Sequence, residues 1–440
     1  MIGIMVEFPL EYPDHNSKTS GDGTFLDQNY EEYINFYNTV TDRCSGFLVD
    51  TPPHNTLYFQ KQLDAVGNYY KNISMGNLPF TADMISNSNI ESGYYTVSQD
   101  MEYYAKGDTL LARFFSEALD LAKSDIEDLV MGCAFPEGPQ GMLIGRSVGI
   151  LSGLTIETGG KVVNRFCGSS MDALHQVSTS IEAGDMNVAV AAGVEDMFSV
   201  PMGGFAPDFH PELAEQEFYI GMGETAENLA KDGNIHREDQ ESFSIQSHKK
   251  ALSAQSDGKF DNEIIPIELA DGSLVDKDEG PRTPDIEKIK SLSPAFIENG
   301  SVTAATSSPI SIGASALLVV SEDYANEHNL TIRAKIISRA IAGVDWKRMG
   351  IGPIPAREKA LKKAGLSFDV IDAIELNEAF AAQSLYVIQK GGFPLEKVNL
   401  NGGAIALGHP LGCSGARIIT TLINVLEQIG GKYGLATMCI

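Results

Sequence analysis

Apolar and polar positions along the chain change rhythm near residue 105. Up to there the periodic signals are short. MIGIMVEF at the start and SGFLVD at 45–50 have the look of strands, in a background rich in Tyr, Asn, Asp and Ser. Beyond it the pattern becomes regular. Residues 108–123, DTLLARFFSEALDLAK, set Leu110, Leu111, Phe114, Leu119 and Leu121 at largely helical spacing behind a capping Asp108. Strand-like runs DLVMG, KVVN and VAVAAGV follow, with a helix over about 169–183 between the last two. From about 200 to 300 the alternation breaks into Pro, Gly and charged stretches such as PMGGFAPDFHPE, which predicts an irregular insertion carrying helices of its own. It resumes with ASALLVV, RAKIIS, AIEL, KVNL and GLATMCI, all with strand character.

Strands alternating with helices of this length predict βαβ units around a parallel sheet. The pattern also occurs twice. VVNRFCGSS leads through a helix to VAVAAGVEDM, and VNLNGGAIALGHPLGCSG leads through a helix to YGLATMCI. Each copy is strand, glycine-rich turn, helix, strand, as expected of a duplicated α/β domain. Ligands of such sheets bind beyond the carboxyl ends of the strands, and the chemically unusual residues fall there.

Composition narrows the function. With 440 residues and 43% apolar content, the chain can bury a sizeable core and more than one domain is expected. A formal charge of −27 argues against nucleic acid and anionic membranes as partners, and asks that any anion site be locally neutral or basic. No apolar run reaches the roughly 18–20 residues that span a bilayer. The opening MIGIMVEFPLEYPDH carries early carboxylates and no basic region, so neither a secretory signal nor a transit peptide is expected. Cys44, Cys133, Cys167, Cys413 and Cys439 form no C-x-x-C pair. Reduced thiols in the cytoplasm are expected, with neither a disulfide framework nor a metal site.

Four residues stand where chemistry can happen. Cys167 follows the strand KVVN and sits at the start of the next helix, where free N–H groups and the helix dipole favour a thiolate. The alternative is a small buried residue at a tight turn. His409 lies between Gly408 and Pro410 in a glycine-rich loop, a place ill suited to a core residue. A histidine poised beside a cysteine is the usual means of activating a thiol. Asn377 follows AIEL and opens the next helix, as a cap or as a side chain holding a water or carbonyl. Cys439, at the end of GLATMCI, is either apolar filler or a second reactive thiol. Cys413 reads as packing.

Taken in order, NRFCGSSMDALH, AAGVEDM, VPMGGF, MGETAENLA, EDQESFSIQSHKKA, GIGPIPA, LNEAFAAQ, NGGAIALGHPLG and GLATMCI resemble the thiolase family over about residues 106–440. Its members cleave 3-ketoacyl-CoA with CoA, or run that reaction backwards. The resemblance implies an α/β fold of duplicated βαβαβ domains in α/β/α/β/α layers. Its expected parts are a segment 1–105 without family motifs, a thiolase N-terminal domain at 106–330 and a C-terminal domain at 331–440, cut short after the second cysteine. A CoA-covering loop domain is expected at about 198–300.

The resemblance also implies roles. Cys167 matches the nucleophile that accepts the acyl group. Cys439 matches the acid/base that protonates the departing acetyl-CoA carbanion and later deprotonates incoming CoA. His409 matches the group that activates Cys167 and, with a water held by Asn377, donates to the thioester oxygen. Met222, Ser308 and Phe380 match substrate-binding positions, and Lys249, Lys250, Lys259 and Arg282 offer positive charge near the nucleotide phosphates. Gly221 stands where acetoacetyl-CoA thiolases often carry His, which points to a degradative enzyme of broad or longer chain range. CoA is then a substrate and no permanently bound cofactor is expected. The family pairs as homodimers or tetramers, and a β-oxidation hydratase/dehydrogenase subunit is a further implied partner.

Three departures accompany this. The usual Arg-Thr-Pro-x-Gly turn is absent, FLVDTPP at 47–53 being a faint counterpart placed too early. Thr306 and Ile312 stand for an Asn and an Asp. The family continues past the second cysteine with a glycine-rich stretch whose backbone N–H completes an oxyanion site, where this sequence ends at Ile440. These departures support a second expectation, a thiolase-like CoA-binding scaffold or truncated pseudoenzyme with little turnover.

Overall fold

The computed structural model describes residues 123–269 and 272–440, and four short strands nearer the start. Those are β1 (Ile2–Ile4), β2 (Val6–Glu7), β3 (Asp83–Ile85) and β4 (Tyr95–Thr96), pairing in parallel as β1 with β3 and β2 with β4. They belong to a unit spanning Met1–Gly107; a second unit spans Asp108–Ile440. MIGIMVEF thus supplies β1 and β2. The helix expected over 108–123, apart from Lys123, and the SGFLVD and FLVDTPP stretches lie outside the described residues.

In the second unit, β5 (Asp128–Gly132), α1 (Ile144–Leu151), β6 (Lys161–Val163), α2 (Ser169–Ala183) and β7 (Val188–Asp196) form the first half. An insertion follows, with α3 (Pro211–Glu215), α4 (Met222–Gly233), α5 (Arg237–Ser256), the hairpin β8 (Ile267–Glu268) and β9 (Leu274–Val275), and α6 (Ile286–Ser291). Then β10 (Ile312–Val320) closes a sheet ordered β10-β7-β5-β6. β5 runs parallel to β6 and β7, and β10 antiparallel to β7. The second half has α7 (Glu322–Glu327), α8 (Pro353–Ala364), β11 (Ala373–Leu376), α9 (Ala381–Gly391), α10 (Ala404–Leu407), α11 (Leu411–Ile429) and β12 (Gly434–Thr437). β11 and β12 pair in parallel.

The layering follows from how β7 is written. Its side chains alternate between two buried faces. Val188, Val190, Ala192 and Val194 pack with Ile144 and Val148 of α1, while Ala189 and Ala191 pack with Ala173, Leu174 and Val177 of α2. Helix α11 touches β7 and β10 on one side and β11 and β12 on the other. It therefore lies between the sheets with α2. Ile354 and Leu361 of α8 and Val387 of α9 cover the far face of Ile374 and Leu376. The result is the expected α/β/α/β/α order.

The middle layer is drawn tight at two glycines. A Cβ on Gly193 would lie 2.3 Å from the Gly412 carbonyl oxygen, and one on Gly415 2.2 Å from the Met171 nitrogen. No side chain fits there, so the first turns of α2 and α11 meet above the carboxyl end of β7. Ser170 joins them: its hydroxyl donates to Cys413 O at 3.0 Å and accepts from Ala416 N–H at 2.9 Å.

Three local expectations are corrected. RAKIIS lies in 331–345, a stretch with no helix or strand; Ile336 packs on the α2–β7 core but no strand pairs with it among the described residues. KVNL makes a single bridge, Val398 to Ile374. Asn399 ends the ladder there, because its side-chain amide takes over both groups of Leu376, accepting from the N–H at 2.9 Å and donating to the C=O at 2.8 Å. The helix after AIEL begins at Ala381 rather than Asn377, so Asn377 is free of a capping role.

Candidate active site

Cys167 sits in a single 3-10 turn, Phe166–Gly168, between β6 and α2. The turn forces Phe166 to a φ of 42°, in the left-handed region. Two neighbours hold it. Asn164 Oδ1 accepts from Phe166 N–H at 2.9 Å, and the Ser169 hydroxyl donates to Phe166 O at 2.6 Å. The thiol is 1% exposed. Burial pushes it well above the ordinary thiol range, and the nearby Cys439 adds to the rise.

His409 is 3% exposed, so the glycine loop delivers it to the interior despite its Gly and Pro neighbours. Its Nδ1 lies 2.6 Å from the Ser414 hydroxyl, which itself donates to Pro410 O at 2.9 Å. With the serine proton committed to that carbonyl, Nδ1 carries the ring hydrogen and donates. Nε2 then keeps its lone pair and accepts from Asn377 Nδ2 at 3.2 Å. Burial, helped by the charge of Arg417, lowers the imidazole to about 3. At neutral pH the ring is uncharged, with one basic nitrogen at Nε2.

Asn377 ties the two strands of the second sheet to this ring: its N–H donates to Thr437 O at 3.0 Å, two residues before Cys439. Its Oδ1 is buried and meets no hydrogen-bond partner. Buried acceptors of this kind are rare and ask for a water or a ligand atom.

Cys439 is also 1% exposed, and burial pushes it up to about 12. It belongs to a cluster with Ala226, Ala379, Phe380 and Ala382, while Cys167 belongs to one with Leu411, Ile418 and Met438. Met222, the first residue of α4, packs against both clusters. A Cβ on Gly168 would lie 2.8 Å from Ile440 Cγ2, so the residues after each thiol are in contact. At rest both thiols are protonated.

The other expected residues fall into place unevenly. Phe380 shares the Cys439 cluster and meets the edge of Phe296, ring centres 5.6 Å apart. Ser308 N–H donates to Ala379 O at 3.0 Å, bringing its segment alongside the Asn377 loop. Thr306 turns its hydroxyl inward, where it accepts from Thr303 N–H at 2.8 Å. Lys250 is not available to a phosphate: its Nζ donates to Val398 O and Asn399 O at 2.9 and 3.1 Å. Lys249 stays exposed. Cys413 is buried packing, its thiol donating to Ser315 Oγ at 3.3 Å.

Two buried acids went unnoticed in the sequence. Glu378 accepts from Ser247 Oγ, Asn399 Nδ2 and Ile405 N–H at 2.7, 2.8 and 3.3 Å, fastening the loop before His409 to α5. Glu195 does the same for the start of α11. A charge inside the apolar run VAVAAGVED was the available signal. Among the described residues no group of three His, Cys, Asp or Glu side chains is arranged to hold a metal, and no helix is long and apolar enough to cross a membrane.

Residues 89–323 match the family model of the thiolase N-terminal domain, and residues 330–440 that of the thiolase C-terminal domain. The chain belongs to the thiolase family. Among curated proteins, the 3-ketoacyl-CoA thiolase of Vibrio vulnificus strain CMCP6 is 52% identical over 329 residues, covering 72% of this chain and 84% of that protein. The 3-ketoacyl-CoA thiolase of Psychrobacter cryohalolentis is 45% identical over 372 residues, covering 81% and 95%. Among solved structures, human mitochondrial 3-ketoacyl-CoA thiolase in complex with CoA superposes with a TM-score of 0.70 at 34% identity, covering 76% of this thiolase and 88% of that chain. Bacillus anthracis acetyl-CoA acetyltransferase gives 0.68 at 35% identity, with coverage of 76% and 88%.

Proposed function

We propose that this thiolase is an acyltransferase that cleaves 3-ketoacyl-CoA with CoA, giving acetyl-CoA and a shortened acyl-CoA. The observation that carries the reading is the buried, neutral His409, whose Nε2 lone pair accepts from the Asn377 amide, with the unpartnered Asn377 Oδ1 beside it, in a site that also holds two protonated thiols. Such a site has one base, two proton-carrying sulfurs and room in its hydrogen bonding for one water.

In the first half-reaction His409 Nε2 takes the Cys167 proton, and the thiolate adds to the C3 carbonyl of the substrate. Collapse of the adduct breaks the C2–C3 bond, leaving the acyl group on Cys167 and the electron pair on C2 of acetyl-CoA. Cys439 protonates that carbon. In the second half, the Cys439 thiolate takes the proton of incoming CoA, whose sulfur attacks the acyl thioester and expels Cys167. The imidazolium and the Asn377-bound water donate to the oxygen that gains charge.

The insertion at about 198–300 covers CoA on this reading, with Lys249, Lys259 and Arg282 facing its phosphates. Gly221 favours broad or longer acyl chains. Two adjacent thiols need a reducing compartment, which suits a cytoplasmic enzyme. A homodimer is part of the same proposal. Among the described residues β6 is an edge strand, and Met142, Leu143, Ile156 and Phe166 around it are 94%, 52%, 78% and 53% exposed. Open edges flanked by apolar side chains are the surfaces that a second copy covers.

Mass spectrometry of the protein incubated with a 3-ketoacyl-CoA tests the assignment. The peptide bearing Cys167 is expected to gain one acyl group, and Cys167→Ser to gain none there. Acylation persisting on another residue in that variant would remove Cys167 as the nucleophile.

A further inference from the structure

Cys167 comes from the first half of the unit and His409 from the second, so their mutual distance depends on what joins the halves. Beside Ser170, and Ser315, whose hydroxyl donates to Cys413 O at 2.8 Å, an acid does this from the interior. Glu195, at the carboxyl end of β7, is 1% exposed. Its Oε2 accepts from Gly412 N–H at 2.8 Å and from Ala134 N–H at 2.7 Å. Its Oε1 accepts from Gln140 Nε2 at 3.0 Å and Phe135 N–H at 3.3 Å. No basic side chain pairs with it among the described residues. A buried carboxylate without a cation is costly unless its oxygens are saturated with donors, and these four groups meet that demand.

The contacts lead to both catalytic turns. Gly412 lies in the first turn of α11, three residues past His409, with Pro410 stiffening the link. Its N–H has no partner within the helix, and the helix start favours a negative charge. On the other side, Ala134 O accepts from Asn164 Nδ2 at 2.8 Å, and Asn164 Oδ1 accepts from the N–H of Phe166, the residue before Cys167. One carboxylate oxygen thus stands at the centre of a chain of bonds from the His409 helix to the Cys167 turn.

We propose that Glu195 is a positioning residue, whose carboxylate sets His409 at its working distance from Cys167 through Gly412 on one side and Ala134–Asn164 on the other. The inference rests on the roles given above to His409 and Cys167. A displacement of about 1 Å between reacting groups costs on the order of 10²-fold in rate. Glu195→Gln keeps the shape but turns an NH2 group towards donors on one side or the other. It should lower kcat by roughly 10- to 100-fold, with KM moved by no more than about threefold and the thermal midpoint still showing a folded protein.

The deciding measurement is a double-mutant cycle with His409→Asn, read as the rate of Cys167 acylation in a single turnover. If Glu195 acts through His409, then Glu195→Gln lowers the rate by less than about threefold in the His409→Asn background. An equal loss in both backgrounds would show a merely structural role and overturn the proposal. His409→Asn with the parent rate would instead overturn the role of His409 itself, a separate result. Should Glu195→Gln fail to fold, Glu195→Asp, which keeps the charge but falls one methylene short of Gly412, enters the same cycle with the same two readings.

Discussion

Replacing Asn377 by Ala separates chemistry from folding, because the structure assigns the side chain almost no net stabilising task. The side chain makes one neutral hydrogen bond, to His409 Nε2 at 3.2 Å, while its Oδ1 is buried without a partner and its N–H bond to Thr437 O survives the change. Losing the bond leaves the buried His409 Nε2 unpaired, which costs about 1–3 kcal/mol, and removing an unsatisfied buried acceptor returns about 1–3 kcal/mol. The two nearly cancel, so the unfolding free energy should move by no more than about 1–2 kcal/mol in either direction. Catalysis should respond differently. If the amide holds the water that donates to the developing oxyanion, its loss removes one donor, typically about 10²- to 10³-fold in kcat, or about 2.7–4 kcal/mol of transition-state stabilisation. Steady-state thiolysis followed by loss of the 3-ketoacyl-CoA absorbance gives kcat, and urea unfolding gives stability. A kcat within about threefold of the parent, with a folded variant, would refute the reasoning.

Two further outcomes follow from burial and from exposure. Glu375 in β11 is 2% exposed, and burial pushes its carboxyl up to about 8 against the opposing charge of Arg417. A raised carboxyl contributes stability that is present below its unfolded value of 4.5 and lost as pH climbs through 8. Glu375→Gln should therefore unfold at a higher temperature than the parent at pH 8.5, with the gap shrinking towards pH 5; an offset that ignores pH would contradict this. Light scattering on the purified chain should give twice the chain mass, and Met142→Asp should shift it towards the monomer, whereas a monomeric parent would dispose of the β6-edge dimer.

Much of the site was legible in order along the chain. The repeated strand, glycine turn, helix and strand placed Cys167 and His409 at equivalent turns, and the helix expected over about 169–183 is α2, Ser169–Ala183. These features are local: a helix is written in its own periodicity, and a turn in its glycines. RAKIIS and KVNL carry strand patterns as good as AIEL, yet neither becomes a strand, because a ladder needs a partner that no short stretch can specify. In the second case the amide of Asn399 occupies the place of that partner.

Tertiary structure alone decided the state of the site. That His409 is buried and neutral depends on Ser414, Asn377 and the burial of the ring beside Arg417. The role of Glu195 depends on donors 55 to 217 residues away in sequence. The chain's own pattern determined which residues stand at strand ends and helix starts, through short-range propensity and period. Which of them meet, and in what protonation state, was decided by close packing, since desolvation and hydrogen bonding act between atoms brought together only when both halves fold.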